Sequence, residues 1–208
     1  MMDTQHFDMV VIGTGPGGEG AAMAAAKGGK RVAAVERFAQ VGGGCTHWAT
    51  IPSKARRQAI YHVNLCDQSA VHKRLDEQER FSLPDLLATA SSVIAKQVDM
   101  REGFYDRNDV NLVCGNARFV DPNTVEVDHC DHATRRLSAD AFVIATGSRP
   151  FRPKDVDFSH PRVLDSDTLL QLQCTPGSIT VYGAGVVGCE YASMLPTCPR
   201  AGPRASTP

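Results

Sequence analysis

The chain has 208 residues, 42% hydrophobic and 22% charged, with a formal net charge of −1. This is the balance of an ordinary globular protein with material for one or two domains. With no basic surplus and no clustered Lys/Arg stretch, neither nucleic acid nor an anionic membrane is expected as a partner. The apolar runs break well short of the ~18 residues that a membrane-crossing helix requires.

Phe7 to Ile12 (FDMVVI) is a short apolar, β-branched run that stops at Gly13, after which small residues recur at helical spacing through Ala26. This reads as strand, glycine turn, helix. Arg31 to Val35 is a second strand ending in Glu36, and the dimensions of the unit fit a βαβ with a parallel strand pair. The Gly-rich loop from Gln40 to Thr50 leads into Ile51-Pro52-Ser53-Lys54, where Thr50 as cap and an early Pro predict a helix to about Cys66. Ser82-Leu83-Pro84-Asp85 starts another, carried by Leu86, Leu87, Val93, Ile94 and Val98 towards Tyr105. From Val110 the period changes: VNLVCGNARFV, a Pro122-Asn123 turn, TVEVD, a polar turn and RRLSA predict a three-stranded antiparallel meander.

Ala141 to Ala145 reads as a further buried strand, ending in Thr146-Gly147-Ser148-Arg149-Pro150. A Pro-rich polar stretch to about Gly177 reads as a connection, and Ser178 to Tyr182 as a strand opening a second strand-glycine-helix unit. The Pro-rich segment after Leu195 cannot continue a helix and reads as a disordered tail. The expected organisation is a nucleotide-binding domain over residues 1–150, a connection over 151–177, the start of an incomplete second nucleotide domain over 178–195 and a tail over 196–208. The fold class is α/β, Rossmann-like: a parallel sheet, a three-stranded antiparallel meander and the start of a second Rossmann unit. The polar start, Met1 to Asp8, does not read as a signal peptide, and seven scattered, unframed cysteines fit a reducing compartment. The cytoplasm is therefore the expected location.

Two glycine fingerprints carry the chemistry. In Gly13-Thr14-Gly15-Pro16-Gly17-Gly18, Gly13 permits the tight turn, Gly15 lets the backbone approach a pyrophosphate, and Gly18 lets helix and strand pack closely. Glu36, at the end of the second strand, is the acid expected to hydrogen-bond a ribose. The second fingerprint, Gly183-Ala184-Gly185-Val186-Val187-Gly188, follows SITVY. Two such sites in one chain point to a flavin held beside an exchangeable nicotinamide.

The order GxGxxG, Glu36, GGGCTHWATIPSK (42 to 54), ATGSRP (145 to 150) and GAGVVG resembles the pyridine nucleotide-disulfide oxidoreductases, and within them the soluble, Si-specific transhydrogenase branch. GGGCTHW and MREGFYDRN (100 to 108) look specific to that branch. The resemblance covers about residues 7 to 195, and the family's chain is considerably longer, with a complete nicotinamide domain and a C-terminal dimerisation domain. It implies FAD as cofactor, NADPH and NAD as exchangeable substrates, and a homo-oligomer built through that dimerisation domain. FAD would lie along Gly13, Gly15, Gly17 and Gly18, with its adenosine ribose on Glu36 beside Arg37 and its adenine near the Ala117 backbone. Its isoalloxazine would lie near Gly43, Gly44, Cys45, Thr46 and Lys54, with Thr146-Gly147 closing the site. Gly183, Gly185 and Gly188 would take the nicotinamide nucleotide. The lysine matching Lys54 sits by flavin N5 and pairs with a glutamate matching Glu190, and a cation there stabilises the electron-rich ring. Without the motif, Lys54 and Glu190 read as exposed helix residues.

Disulfide reductases of this class carry two loop cysteines, so that electrons on the flavin pass to a disulfide. Here Thr50 stands at the second position, no redox disulfide forms, and a second nicotinamide nucleotide is the simplest acceptor. Ping-pong hydride exchange from NADPH to NAD follows, with a non-catalytic FAD-binding fragment and electron transfer to a quinone or oxygen as the alternatives. Cys45 then reads as a small residue beside the flavin or a catalytic one, and His47 and Trp48 as packing near the ring or as structural. Asp128-His129-Cys130-Asp131-His132 has metal-ligand residue types, but adjacent hairpin positions point in different directions, and no metal is expected.

Overall fold

A computed structural model describes residues 4–67, 83–129, 133–169, 172 and 176–195. The chain divides into two compact units, one of Met1–His47 with Ile94–Arg149, the other of Trp48–Val93 with Pro150–Pro208.

The first unit is built on five strands: β1 Thr4–Ile12, β2 Val32–Glu36, β3 Asn111–Asp121, β4 Thr124–His129 and β5 Thr134–Ile144. β1 pairs in parallel with β2 and β5, and β2 with β3, while β4 runs antiparallel to both β3 and β5. The outer strands of the meander are thus the edges of the parallel set, and the sheet closes on itself as a barrel. Closure removes the unpaired edges that an open sheet would leave. The RRLSA and AFVIA segments, expected as separate strands, are one strand. Nothing between them turns the chain, and β1 pairs along the length of β5, from Thr4 with Arg136 to Ile12 with Ile144.

β2 is buried at every position, as a central parallel strand covered on both faces must be. Alternation along it divides two cores. Ala33 and Val35 join Phe7, Val10, Val113, Val125, Val127, Leu137 and Ala139 in one. Val32 and Ala34 meet Val11, Ala22, Val41, Tyr105 and Val110 in the other, where helix α1 (Pro16–Lys27) packs. α1 opens with Gly15 as N-cap and Pro16 in the first position, carries Glu19 in its first turn and Lys27 in its last, and ends at Gly28. Each choice suits the helix ends and dipole. A short helix, α2 (Gly43–His47), lies within the segment expected to be a loop.

The second unit contains α3 (Thr50–Asp67), the first residues of the long α4 (Leu83–Arg107) and α5 (Val186–Met194). Thr50 begins α3 rather than preceding it. Ile60, Tyr191 and Met194 form its buried cluster, flanked by Trp48, Ala59 and Leu169. Ser178 to Tyr182, expected as a strand, forms none. A strand requires a neighbour for its backbone groups, and among the described residues nothing pairs with this segment, whose Tyr182 is 97% exposed. The expected tail over 196–208 lies outside the described residues. No helix among the described residues is long and apolar enough to cross a membrane.

Candidate functional site

The first fingerprint folds as its glycines require. Gly13 adopts φ +104°, its N–H donates to the Val35 carbonyl at 2.8 Å, and a Cβ there would strike the Ala145 carbonyl oxygen. The end of β5, leading into Thr146 and Gly147, therefore lies against the turn. A Cβ on the buried Gly18 would collide with the Gly13 carbonyl oxygen, whereas Cβ atoms on Gly15 or Gly17 would meet nothing within 4 Å. Open space stands over the first turn of α1, where backbone N–H groups and the helix dipole favour an anion.

Glu36 closes the far side. It is 7% exposed, and its Oε2 accepts from the Thr14 N–H at 3.1 Å and the Thr14 hydroxyl at 2.5 Å. Its Oε1 accepts from the Phe38 N–H at 3.2 Å. The Thr14 hydroxyl accepts in turn from the Gly42 N–H at 3.1 Å, and a Cβ on Gly43 would stand 2.9 Å from the Gly15 Cα. The fingerprint turn, the end of β2 and the start of α2 thus converge. A depression of about 440 Å³ opens beside Glu36, with Phe38, Val41, Tyr105 and Cys114 in its lining. Burial first, then the Glu19 and Glu36 carboxylates, push ionisation of the enclosed Tyr105 hydroxyl far up against the opposing Arg101 charge, so the phenol stays neutral.

The residues fit a bound dinucleotide. Thr46 is fully buried, and its hydroxyl has no hydrogen-bond partner among the described residues. The open space at Gly15 and Gly17 would admit a backbone-to-phosphate approach, and the fixed carboxylate at the end of β2 would offer a ribose its acceptor. Gly44 and Cys45 lie on α2, both partly buried, with Cys45 a free thiol. Cys114 is disulfide-bonded, so the scattered cysteines are not all thiols. The exposed Arg37 stacks its guanidinium over Phe38, 4.7 Å from the ring centroid. Ala117 lies on β3, three positions past the Cys114 that pairs in register with Glu36. The described residues hold no group of three His, Cys, Asp or Glu that could bind a metal, and Cys130 to His132 of the cluster weighed from sequence lie outside them.

In the second unit Lys54 Nζ and Glu190 Oε1 form an ion pair, the lysine side chain 58% and the glutamate 18% exposed. Arg57 donates to the Ser193 hydroxyl at 3.3 Å, a further polar contact between α3 and α5. The second fingerprint repeats the local geometry of the first. Gly183 sits at φ +119°, Gly185 is the extended N-cap of α5, and a Cβ on Gly188 would strike the Gly183 carbonyl oxygen. Burial, more than its charged neighbours, pushes the Tyr191 hydroxyl up.

Sequence reasoning passed over Thr14 and Gly42. A hydroxyl inside the fingerprint, with an acid awaited at the end of the next strand, was the available signal for the first. Nothing local marked the second.

The family model described as pyridine nucleotide-disulphide oxidoreductase matches residues 7–200. The soluble pyridine nucleotide transhydrogenase of Vibrio cholerae is 52% identical over 195 residues, covering 94% of this chain and 42% of the relative. That of Yersinia pestis is 53% identical over 190 residues, covering 91% and 41%. The chain thus spans about two fifths of the length of these relatives. Among solved structures, the Cu(II) complex of the HOCl-induced flavoprotein disulfide reductase RclA from Escherichia coli superposes with a TM-score of 0.78 at 24% identity, over 94% of this chain and 41% of that one. A match running through both fingerprints and nearly every described element makes this chain a member of the pyridine nucleotide-disulphide oxidoreductase family.

Proposed function

We propose that this chain is the FAD-binding part of a flavoprotein that passes a hydride from NADPH to NAD, the reaction of a soluble transhydrogenase. The observation that carries the reading is the seat in the first unit, where an open helix N-terminus stands beside a buried, triply hydrogen-bonded Glu36. Support comes from the transhydrogenases that match at about half identity, and from Thr50, which leaves Cys45 without the second loop cysteine of a disulfide reductase.

When bound, FAD would supply the two-electron hydride chemistry that links the two nicotinamides. The chain's own residues bind and orient. Gly13, Gly15, Gly17 and Gly18 take the pyrophosphate on the α1 N-terminus, Glu36 accepts from the adenosine ribose, and the Ala117 backbone and Arg37 flank the adenine. Gly43, Gly44, Cys45 and Thr46, with Thr146 and Gly147, line the flavin seat. In the second unit, Lys54, paired with Glu190, would supply a cation for an electron-rich flavin, and Gly183, Gly185 and Gly188 would receive the nicotinamide nucleotide.

A second reading is a non-catalytic FAD-binding module. The Ser178 to Tyr182 segment, unpaired among the described residues, favours it, because the second fingerprint is there without a preceding strand. The visible spectrum of the purified chain, followed by anaerobic addition of NADPH and then of a NAD analogue, tests both. Flavin bands that bleach and recover as the analogue is reduced are expected for a transhydrogenase. Bands that do not bleach favour the binding module, a colourless protein overturns both readings, and NADPH-dependent reduction of a disulfide overturns the argument from Thr50.

A further inference from the structure

Thr14 occupies the first variable position of the fingerprint, and no described role of the motif requires a side chain there. Here that side chain is fully buried, and its hydroxyl both donates and accepts. A hydroxyl has one proton to donate. The 2.5 Å contact to Glu36 Oε2 uses it, because an ionised carboxylate only accepts. The Gly42 N–H, at 3.1 Å, takes a lone pair of the same oxygen. The Thr14 N–H adds a second bond to Glu36 Oε2, while among the described residues Oε1 receives only the Phe38 N–H. A carboxylate offers about four lone-pair sites. Oε2 is therefore filled from within the protein and Oε1 keeps room for an incoming hydroxyl.

We propose that Thr14 is a positioning residue for ribose recognition: it fixes the plane of the Glu36 carboxylate, directs the free side of Oε1 outward, and through Gly42 ties that carboxylate to the start of α2. The inference rests on the FAD reading above and adds to it a residue that sets ribose selectivity without touching the ligand. Loss of the hydroxyl removes the shortest of the three bonds that hold the carboxylate and its tie to Gly42, loosening its plane, so what falls is discrimination between ribose and deoxyribose, beyond any general loss of affinity.

The test compares dissociation constants of the full chain for FAD and for its 2′-deoxyadenosine analogue. A hydrogen bond to a charged group corresponds to a wild-type preference for FAD of at least about tenfold. Thr14→Val, which keeps the shape and removes the hydroxyl, reduces that preference to about threefold or less on the same scale, and Thr14→Ser restores it. Thr14→Ala gives the same loss and serves if the valine methyl crowds Glu36 enough to unfold the chain. A merely structural role would weaken both ligands equally and leave the ratio at its wild-type value in the folded variants, which overturns the proposal. Wild-type protein that binds flavin with no ribose preference also overturns it. A wild-type chain that takes up no flavin rejects the FAD reading and this inference together.

Discussion

At the scale of single residues, two glycines of α1 separate packing from conformational freedom. Gly18 is buried with the Gly13 carbonyl where its Cβ would be, whereas Gly20, two positions on and exposed, has open space there. Gly18→Ala is expected to cost about 1–3 kcal/mol as overpacking against backbone. Gly20→Ala is expected to stabilise by about 0.4–1 kcal/mol, because alanine has less unfolded-state freedom to lose. Urea unfolding of both variants checks the pair, and equal effects of one sign would remove the packing argument. The glycine roles were legible in the sequence because the turn and helix that impose them lie within a few residues. The Thr14 contact was not, since it joins residues 22 apart in the chain. Lys54 and Glu190 are 136 residues apart, and only the family resemblance joined them in advance. With the lysine more than half exposed, their pairing contributes little to stability.

Among the elements, the turn segment from Arg152 to Thr168 is organised by one acid. Asp165 accepts from Arg152 at 2.9 Å and from the backbone N–H groups of Asp167 at 3.1 Å and Thr168 at 2.9 Å. Burial alone would raise its ionisation, but the Thr168 N–H, the Arg152 hydrogen bond and charge, and the Thr168 hydroxyl together hold it below the usual 3.8. Its stabilisation is therefore complete above that value and lost as the pH falls through the lowered one. Asp167 opposes this in part, because burial and the Asp165 charge push it up. Fluorescence of Trp48, the single tryptophan, reports on this unit. As the pH falls below 3.8 and through the lowered value, stability should fall in the wild type and fall less in Asp165→Asn. That variant should itself cost about 1–3 kcal/mol at neutral pH, and unchanged acid sensitivity would contradict the assignment. None of this was legible in a stretch that read only as a Pro-rich connection, since its order comes from side chain to backbone bonds rather than periodicity.

For the whole molecule, ligand linkage supplies the prediction. If the first unit seats FAD, free FAD at about 100 times its dissociation constant stabilises the folded chain by about 2.7 kcal/mol. The thermal midpoint should rise with FAD concentration and should not rise with riboflavin, which lacks the pyrophosphate and ribose that α1 and Glu36 receive. Equal shifts from the two would assign binding to the ring alone.

The residues by themselves determined the class of fold, the order of most elements, both glycine turns and the acid at the end of β2. Each of these depends on periodicity or on steric rules acting over one βαβ unit. Tertiary structure alone decided that β5 is one continuous strand, that the meander closes the sheet into a barrel, and that Ser178 to Tyr182 finds no strand partner among the described residues. Strand existence and strand pairing depend on partners far away in the chain, which no local pattern encodes. The same holds for Glu36: its presence was written in the sequence, while its burial and its three hydrogen bonds required the fingerprint, the end of β2 and α2 to meet.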